Sequence, residues 1–195
     1  MGRRISFDYD RALDQATRQF WKTGYTGTSL RDLLKATGLG EGSFYNTLGS
    51  KKQLYQVCLR RYVETEGRKR AEALFSAETT GAGLRAMFGV TLDCLSNPAT
   101  PSRLCMMAAM ISEEVLEDDD LKTFAEASLA DFRARLSARL AKERDQGLLR
   151  PDLDVAATAA VIMTYAQGLW RMAMVDFDRA SFERQIELFL SGLGL

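Results

Sequence analysis

Histidine is absent from this sequence of 195 residues. It is the commonest metal ligand and general base in proteins, so its absence removes the side chain on which most acid–base sites and many metal sites depend. The chain also has no glycine-rich phosphate loop and no helical carboxylate-x-x-His metal motif. We therefore expect no catalytic site, no metal and no cofactor, and an enzyme is kept only as an alternative hypothesis.

Cysteines and long apolar runs are also scarce. The three cysteines, Cys58, Cys94 and Cys105, are odd in number and lack CxxC spacing, so free thiols in a reducing compartment are predicted. No apolar run approaches the roughly 18 residues that span a membrane, and no signal peptide is visible. These features predict a cytoplasmic protein that has no membrane partner.

Neither sign of charge is in excess, because 26 Lys+Arg balance 26 Asp+Glu. A neutral total argues against a nucleic-acid partner. However, residues 1–70 hold 14 basic and 7 acidic side chains, whereas residues 71–195 hold 12 and 19. A positive N-terminal part, opened by Arg3 and Arg4, favours phosphate contact at one end, with chance clustering as the alternative. The carboxylates of residues 113–120 form a candidate cation site, although such runs are usually solvated surface.

The segment 26–54 has the pattern of two short helices joined by a tight turn. Ser29, with Asp32 three residues later and an apolar run behind it, predicts a capping box at the first helix start. Gly38 predicts the end of that helix. The second helix, residues 41–48, is too polar to be core. A pair of this kind can place its second helix in the major groove of DNA.

The rest of the chain has helical periodicity and no strand pattern or repeat. The apolar spacing and the helix-ending Gly and Pro residues predict an all-α fold of about nine helices. The predicted helices are 9–23, 30–37, 41–48, 51–75, 84–95, 102–115, 121–146, 152–175 and 180–193. The fourth of them is long enough to leave the N-terminal segment and enter the remainder of the chain.

A specific set of residues carries a family resemblance. The matching features are Phe20, Gly24-Tyr25, Thr28-Ser29-Leu30-Arg31-Asp32-Leu33, Gly38-Leu39, Gly42-Ser43-Phe44-Tyr45 and Ser50-Lys51 with Leu54. In order and spacing these resemble the DNA-binding segment of the tetracycline-repressor (TetR) family of bacterial transcriptional regulators, over about 35 residues. The resemblance implies an N-terminal three-helix helix-turn-helix domain, residues 1–50, and a helical effector-binding and dimerisation domain, residues 51–195.

The resemblance also implies which residues contact operator DNA. Phosphate contacts would fall on Thr28 or Ser29, on Tyr45 and on Lys51, and base contacts on Gly40, Glu41, Ser43 and Asn46. A core position is the alternative for Tyr45, and a solvated helix start is the alternative for Lys51. Gly40 departs from the family's usual capping Ser or Thr, so the recognition helix is expected to begin less firmly. Glu41 and Thr47 are further departures.

By resemblance, the domain of residues 51–195 holds a pocket for a small apolar or amphipathic effector. The candidate lining residues are Met87, Cys105, Met106, Met110, Met163, Tyr165, Gln167 and Trp170. Methionines adapt to irregular apolar space and suit either such a pocket or an ordinary core. A second hypothesis is control by thiol modification at Cys105, helped by Arg103, although a side chain two residues away on a helix points elsewhere.

The two C-terminal helices are rich in small and apolar residues. They are expected to pair with their copies in a second subunit, or else to complete the core of the monomer. A homodimer is favoured because a small DNA-binding head gains specificity from two half-sites. The sequence thus predicts a dimeric regulator, most simply a repressor of palindromic operator DNA, with a helical protein-binding adaptor as the less favoured alternative.

Overall fold

The computed structural model describes residues 8–195, so Arg3 and Arg4 lie outside the described chain. Eleven α-helices and one π-helical turn make up this part, and no strand occurs within it. They are α1 (Tyr9–Thr23), α2 (Leu30–Thr37), α3 (Glu41–Leu48), α4 (Lys51–Tyr62), the π turn (Val63–Gly67), α5 (Arg68–Phe75), α6 (Thr80–Ser96), α7 (Met106–Met110), α8 (Glu113–Leu116), α9 (Asp119–Asp145), α10 (Val155–Val175) and α11 (Arg179–Leu193). The all-α fold class is confirmed.

Helices α1, α2 and α3 form the N-terminal head, a small helical unit with an aromatic core. Ser29 caps α2 by accepting a hydrogen bond from the Asp32 backbone N–H, and the Asp32 carboxylate accepts from the Ser29 N–H, so the predicted capping box is present. Phe20 of α1 packs edge-on against Tyr55 of α4, with the ring centroids 4.9 Å apart. The first turns of α4 therefore belong to the packing of the head, and the domain boundary at residue 50 stays a prediction.

Residues 51–75, which connect the head to the remaining helices, do not form the single helix predicted for them. The π turn at Val63–Gly67 interrupts it without breaking the chain direction, because the flanking residues keep right-handed helical dihedral angles. The sequence there has a β-branched valine, a threonine and a glycine, which are weak helix formers. The Thr65 hydroxyl also donates to the Arg61 carbonyl at 2.9 Å, a bond of the kind that bends helices.

The turn between α5 and α6 is shorter than the predicted loop over residues 76–83, because α6 begins at Thr80. Glu143, which is buried, accepts hydrogen bonds from the Thr80 N–H and hydroxyl. Arg139 pairs with Glu143 at 3.1 Å and donates to the carbonyls of Leu74 and Ala77. These bonds join the C-terminal part of α9 to the turn and satisfy backbone groups at two helix ends.

The apolar stretch predicted as one helix over residues 102–115 forms two short helices, α7 and α8. Where α7 ends, Arg171 of α10 donates to the carbonyl of Ile111 and to that of Ala108, which also accepts from the Ile111 N–H. Its guanidinium thus stabilises a break that the local pattern does not show. This break and the π turn explain why the helices outnumber the nine predicted.

Helices α5, α6, α9, α10 and α11 form the body. No helix within residues 8–195 has both the length and the apolar character required to cross a membrane. All three cysteines are free thiols, with Cys58 and Cys105 buried and Cys94 half-buried.

Candidate nucleic-acid interface and effector cavity

One face of α3 is buried and the other is open to solvent. Phe44 and Leu48 are the buried residues of this helix. The remaining side chains and the helix start are exposed: Gly40, Glu41, Gly42, Ser43, Tyr45, Asn46 and Thr47. Gly40 supplies no side-chain hydrogen bond as the N-cap, in agreement with the less firm start expected for this helix. All four residues predicted to contact bases therefore lie together at an exposed helix surface.

Tyr45 is 49% exposed, so the alternative of a core tyrosine is wrong. Its ring meets Phe44 edge-on, with the centroids 5.7 Å apart, and this contact anchors it at the surface. Ser29 is exposed as well. Thr28 differs from the other predicted phosphate contacts because it is fully buried and its hydroxyl donates to the Gly24 carbonyl at 2.6 Å. Its side chain supports the turn and is not presented at the surface, so of the pair only Ser29 is exposed. The Ser29 hydroxyl donates to the Asp32 carboxylate at 2.6 Å.

Two adjacent lysines begin α4 and have different surroundings. Lys51 is half-buried with Nζ 4.5 Å from the centre of the Tyr25 ring, and burial lowers its pKa. Lys51 forms no ion pair with any residue in the range 8–195. Lys52 pairs with Asp120 at 2.8 Å and with Asp118 at 3.1 Å, and these carboxylates raise its pKa. The acidic run around residue 118 thus has a cationic partner in the head.

A cavity of about 810 Å³ lies in the body between α5, α6, α9 and α10. Aromatic side chains supply much of its wall, including Phe75, Phe88, Phe124, Phe132 and Trp170. A volume of this size falls in the range typical of small-molecule sites. The cavity is therefore large enough and apolar enough to hold a molecule with a substantial hydrocarbon part.

The structure brings together five of the eight predicted pocket residues. Met87, Cys105, Met163, Gln167 and Trp170 line the cavity. Met106, Met110 and Tyr165 do not, and for these three the prediction is corrected. The two methionines are fully buried in the core. The Tyr165 ring stacks on Phe189 at 3.9 Å, toward α11.

Arg70 is one of the charged residues that line the cavity. Its guanidinium lies 5.6 Å from the Tyr62 ring centre and 5.2 Å from the Trp170 ring centre. Nη2 donates to the Tyr62 hydroxyl at 2.9 Å. Nη1 is buried and has no hydrogen-bond partner among residues 8–195. Arg70 thus lines an apolar cavity, and one nitrogen of its guanidinium is buried without a hydrogen-bond partner among the described residues.

The other charged residues of the wall are compensated. Arg68 pairs with Glu72 at 3.6 Å, and Arg135 pairs with Asp131 at 3.9 Å. Arg70 forms no ion pair with the part of the chain that the structure describes, so it gives the wall an excess of one positive charge.

Cys105 also faces the cavity, and its sulfur accepts a hydrogen bond from the Tyr62 hydroxyl at 3.4 Å. Burial raises the pKa of Tyr62, so this hydroxyl keeps its proton and can donate. Arg103 does not act on the thiol, because its guanidinium lies 5.5 Å from the Phe177 ring centre and points to the Ala173 carbonyl. The cation connected to Cys105 is Arg70, because both side chains form hydrogen bonds with the Tyr62 hydroxyl.

Sequence reasoning missed Arg70, Tyr62 and the two phenylalanines of α9, Phe124 and Phe132. The phenylalanines are eight residues apart, a spacing that places them on one helix face and gives a usable signal. Arg70 and Tyr62 are also eight residues apart, but the π turn changes their relative orientation. No periodicity argument alone reveals their contact.

Two family models match the chain. The model described as "Bacterial regulatory proteins, tetR family" matches residues 12–58, and the one described as "Tetracyclin repressor-like, C-terminal domain" matches residues 81–189. The first match covers the exposed helix surface and the start of α4. The second covers the aromatic cavity walls of α6, α9 and α10.

Relatives and solved structures cover nearly the whole chain. The uncharacterised HTH-type transcriptional regulator YezE of Bacillus subtilis (strain 168) is 27% identical over 99% of this chain and 100% of its own. The HTH-type transcriptional repressor ComR of Escherichia coli (strain K12) is 28% identical, covering 96% and 88%. A solved cysteine mutant of the TetR family transcriptional regulator CifR, complexed with 26-bp double-strand operator DNA, superposes with a TM-score of 0.86 at 26% identity, covering 97% and 98%.

Proposed function

The chain belongs to the TetR family of bacterial regulatory proteins and is a helix-turn-helix transcriptional regulator, and from that premise we propose that it represses transcription as a ligand-released dimer. The observation that carries this proposal is the exposed polar face of α3 above the buried Phe44 and Leu48. Repression is supported by the repressor ComR and by the operator complex of CifR, which are similar over 96% and 97% of this chain. We propose the cytoplasm as its location, because a regulator of this kind acts on DNA.

We assign the DNA contacts by position on the exposed surface. Gly40, Glu41, Ser43 and Asn46 face the bases, because they lie at the start and on the open side of α3. Ser29, Tyr45 and Lys51 contact phosphates, because they surround that surface with two hydroxyls and an ammonium group that forms no ion pair with the described residues. To donate to a phosphate, the Ser29 hydroxyl turns away from the Asp32 carboxylate. The side chain of Thr28 has no direct role and holds the turn before α2.

The dimer is proposed to form through α10 and α11. An exposed stripe with helical spacing runs along α10 and consists of Ala157, Val161, Thr164, Gly168, Met172 and Val175. Val175 is 82% exposed, and Leu188 on α11 is 77% exposed. Small and apolar residues at such a surface allow two helix pairs to pack closely as a four-helix interface.

A charge placed in the proposed interface tests the dimer. Leu188→Glu should convert the protein to a monomer in size-exclusion chromatography with light scattering, and should weaken DNA binding. The matched control is Leu148→Glu, since Leu148 is 60% exposed and lies outside α10 and α11. A Leu188→Glu protein that stays dimeric contradicts this interface.

The effector is proposed to occupy the body cavity and to act on the head through α4 and α5, which are continuous across the π turn. Binding of ligand then weakens binding of DNA, because the two favour different positions of the segment α4–α5 that connects the head to the body. The cavity volume and its aromatic wall support an apolar or amphipathic effector.

Thiol modification is the second candidate for control, and the position of Cys105 at the cavity wall favours it. Diamide or N-ethylmaleimide should then release DNA from the wild type and not from Cys105→Ser. Equal responses of the two proteins would remove this candidate.

The DNA-binding proposal is tested with the intergenic DNA upstream of the protein's own gene. A gel shift should give a retarded complex whose affinity falls steeply with salt, with a logarithmic slope of about −0.9 per phosphate contacted. A flat salt response, or equal affinity for unrelated DNA, contradicts the proposal and favours the protein-binding adaptor.

A further inference from the structure

We propose that the body cavity binds an amphipathic monocarboxylate, whose carboxylate pairs with Arg70 and whose hydrocarbon part contacts the aromatic wall. This inference rests on the proposed effector role of the cavity and names the chemical class of the effector. It depends on one side chain whose hydrogen-bonding capacity is unused and on the distribution of charge around it.

The first argument is the state of Arg70 itself. Arg70 is half-buried, with its guanidinium between the rings of Tyr62 and Trp170. Its Nη1 is buried, and only Nη2 has a hydrogen-bond partner among residues 8–195. Burial of a charge is unfavourable unless a partner of opposite charge and additional hydrogen bonds compensate it. An anion in the cavity that pairs with this guanidinium supplies the missing charge and a further hydrogen-bond acceptor.

The second argument is the charge of the ligand. Arg68 and Arg135 are neutralised by Glu72 and Asp131, so Arg70 alone provides net charge to the wall. A single negative charge balances it, whereas a dianion brings a second charge that finds no cation here. The planar guanidinium also matches the planar carboxylate in hydrogen-bond geometry.

The third argument is the shape of the remaining wall. Beyond Arg70 the cavity is bounded by Phe75, Phe88, Phe124 and Phe132 and by methionines such as Met163. A hydrocarbon chain or an aryl group gains from burial against these side chains. A small hydrophilic acid would leave most of the wall without a contact.

The fourth argument is the place of Arg70 in the fold. It is the third residue after the π turn, and its guanidinium contacts Tyr62, the last residue of α4, and Trp170 of α10. A carboxylate that binds Arg70 therefore changes the contacts between α4, which enters the head, and α10, which belongs to the proposed dimer interface. Through Arg70, the charge of the ligand can thus affect both the head and the proposed dimer interface.

Isothermal titration calorimetry on the full-length protein tests the inference. The probes are two matched pairs, decanoate with 1-decanol and 4-phenylbutanoate with 4-phenyl-1-butanol, which differ only in the head group. At least one acid should bind the wild type about ten-fold more tightly than its alcohol. Arg70→Met and Arg70→Gln should lose this preference, and Arg70→Lys should keep part of it.

The matched control is the double variant Arg68→Met/Glu72→Gln, which removes a charge pair of the same wall and leaves the net charge of the wall unchanged. It should keep the preference for the acid. Circular dichroism and DNA binding without ligand verify that each variant is folded. Failure of both acids to bind at roughly 1 mM, equal binding of acid and alcohol, or a preference unchanged in the Arg70 variants overturns the inference.

Failure of this inference can be distinguished from failure of the proposed function. A protein that binds decanoate through Arg70 but does not bind its upstream DNA retains the assigned ligand class and loses the repressor mechanism. A protein that binds DNA but neither acid retains the repressor mechanism and loses the ligand class.

Discussion

Two arginines contribute to different parts of the body, and their surroundings differ in one respect. Arg139, beside the turn between α5 and α6, uses all three of its guanidinium nitrogens, on Glu143, Leu74 and Ala77. Arg70, at the cavity, leaves Nη1 without a partner among residues 8–195. The first side chain is compensated by the protein, so it holds the fold together. The second is compensated only in part, which is the property expected of a ligand-binding group.

The same distinction separates the two lysines at the start of α4. Lys52 is neutralised by Asp118 and Asp120 and joins the head to the body. Lys51 is stacked on Tyr25 and forms no ion pair with the described chain. Cations that the protein leaves uncompensated thus occur at the proposed phosphate site and at the proposed carboxylate site, near the two ends of the connecting helix.

The largest expected effect comes from breaking the compensated site. Glu143→Ala leaves Arg139 buried without its carboxylate and frees the Thr80 N–H, so the free energy of unfolding should fall by about 3–5 kcal/mol. Arg70→Met removes a cation that lacks a counterion and should change it by no more than about 1 kcal/mol. Urea denaturation of the two variants measures both values. Equal losses would erase the distinction between the two arginines.

A base-reading residue should affect sequence preference. Asn46→Ala should reduce discrimination at one operator position by about 1–3 kcal/mol, because its amide lies on the exposed face of α3. Competition gel shifts with single-base operator variants measure this change. Uniform weakening across all variants would instead place Asn46 against the phosphate backbone.

A phosphate contact should weaken binding to every sequence. Lys51→Ala should lower operator affinity about ten-fold and reduce the magnitude of the salt slope by about 0.9. Lys52→Ala is the matched control and should leave the slope unchanged, since its charge is already neutralised by carboxylates. If Lys52→Ala changes the slope and Lys51→Ala does not, the two assignments must be exchanged.

The smallest effect concerns Cys58, a buried group that has no charge at neutral pH. Burial raises the pKa of its thiol to about 12, from an ordinary value of 9.0. Because the raised pKa favours the protonated form in the folded state, the associated stability is present below about pH 9 and is lost as the pH rises toward 12.

At pH 10 this loss amounts to about 1 kcal/mol. Urea denaturation of the wild type and of Cys58→Ala at pH 8 and pH 10 isolates it, since the variant lacks the thiol. A pH dependence that is identical in both proteins would show that Cys58 does not contribute.

The head could be predicted from the sequence because its determinants are local. Ser29 and Asp32 are three residues apart, Gly38 ends the helix they begin, and the polar face of α3 follows from its own spacing. The burial of Thr28 was missed because its partner, the Gly24 carbonyl, belongs to a turn whose shape periodicity does not specify.

The body was less predictable because its determinants are distant in the chain. Arg70 meets Trp170 across 100 positions, and Arg171 stabilises the break after α7 from about 60 positions away. Residues such as Met106 and Met163 look equivalent in the sequence, yet one is core and the other faces the cavity. Only the packing of α6, α7 and α10 decides between them.

Release of operator DNA by decanoate is the most direct test of the central claim that Arg70 connects the cavity to the head. Fluorescence anisotropy of labelled upstream DNA should fall as decanoate is added to the wild-type complex, while 1-decanol should require about ten-fold more. Arg70→Met should bind the same DNA and should no longer respond to decanoate. Equal release from both proteins, or release from neither, contradicts the account.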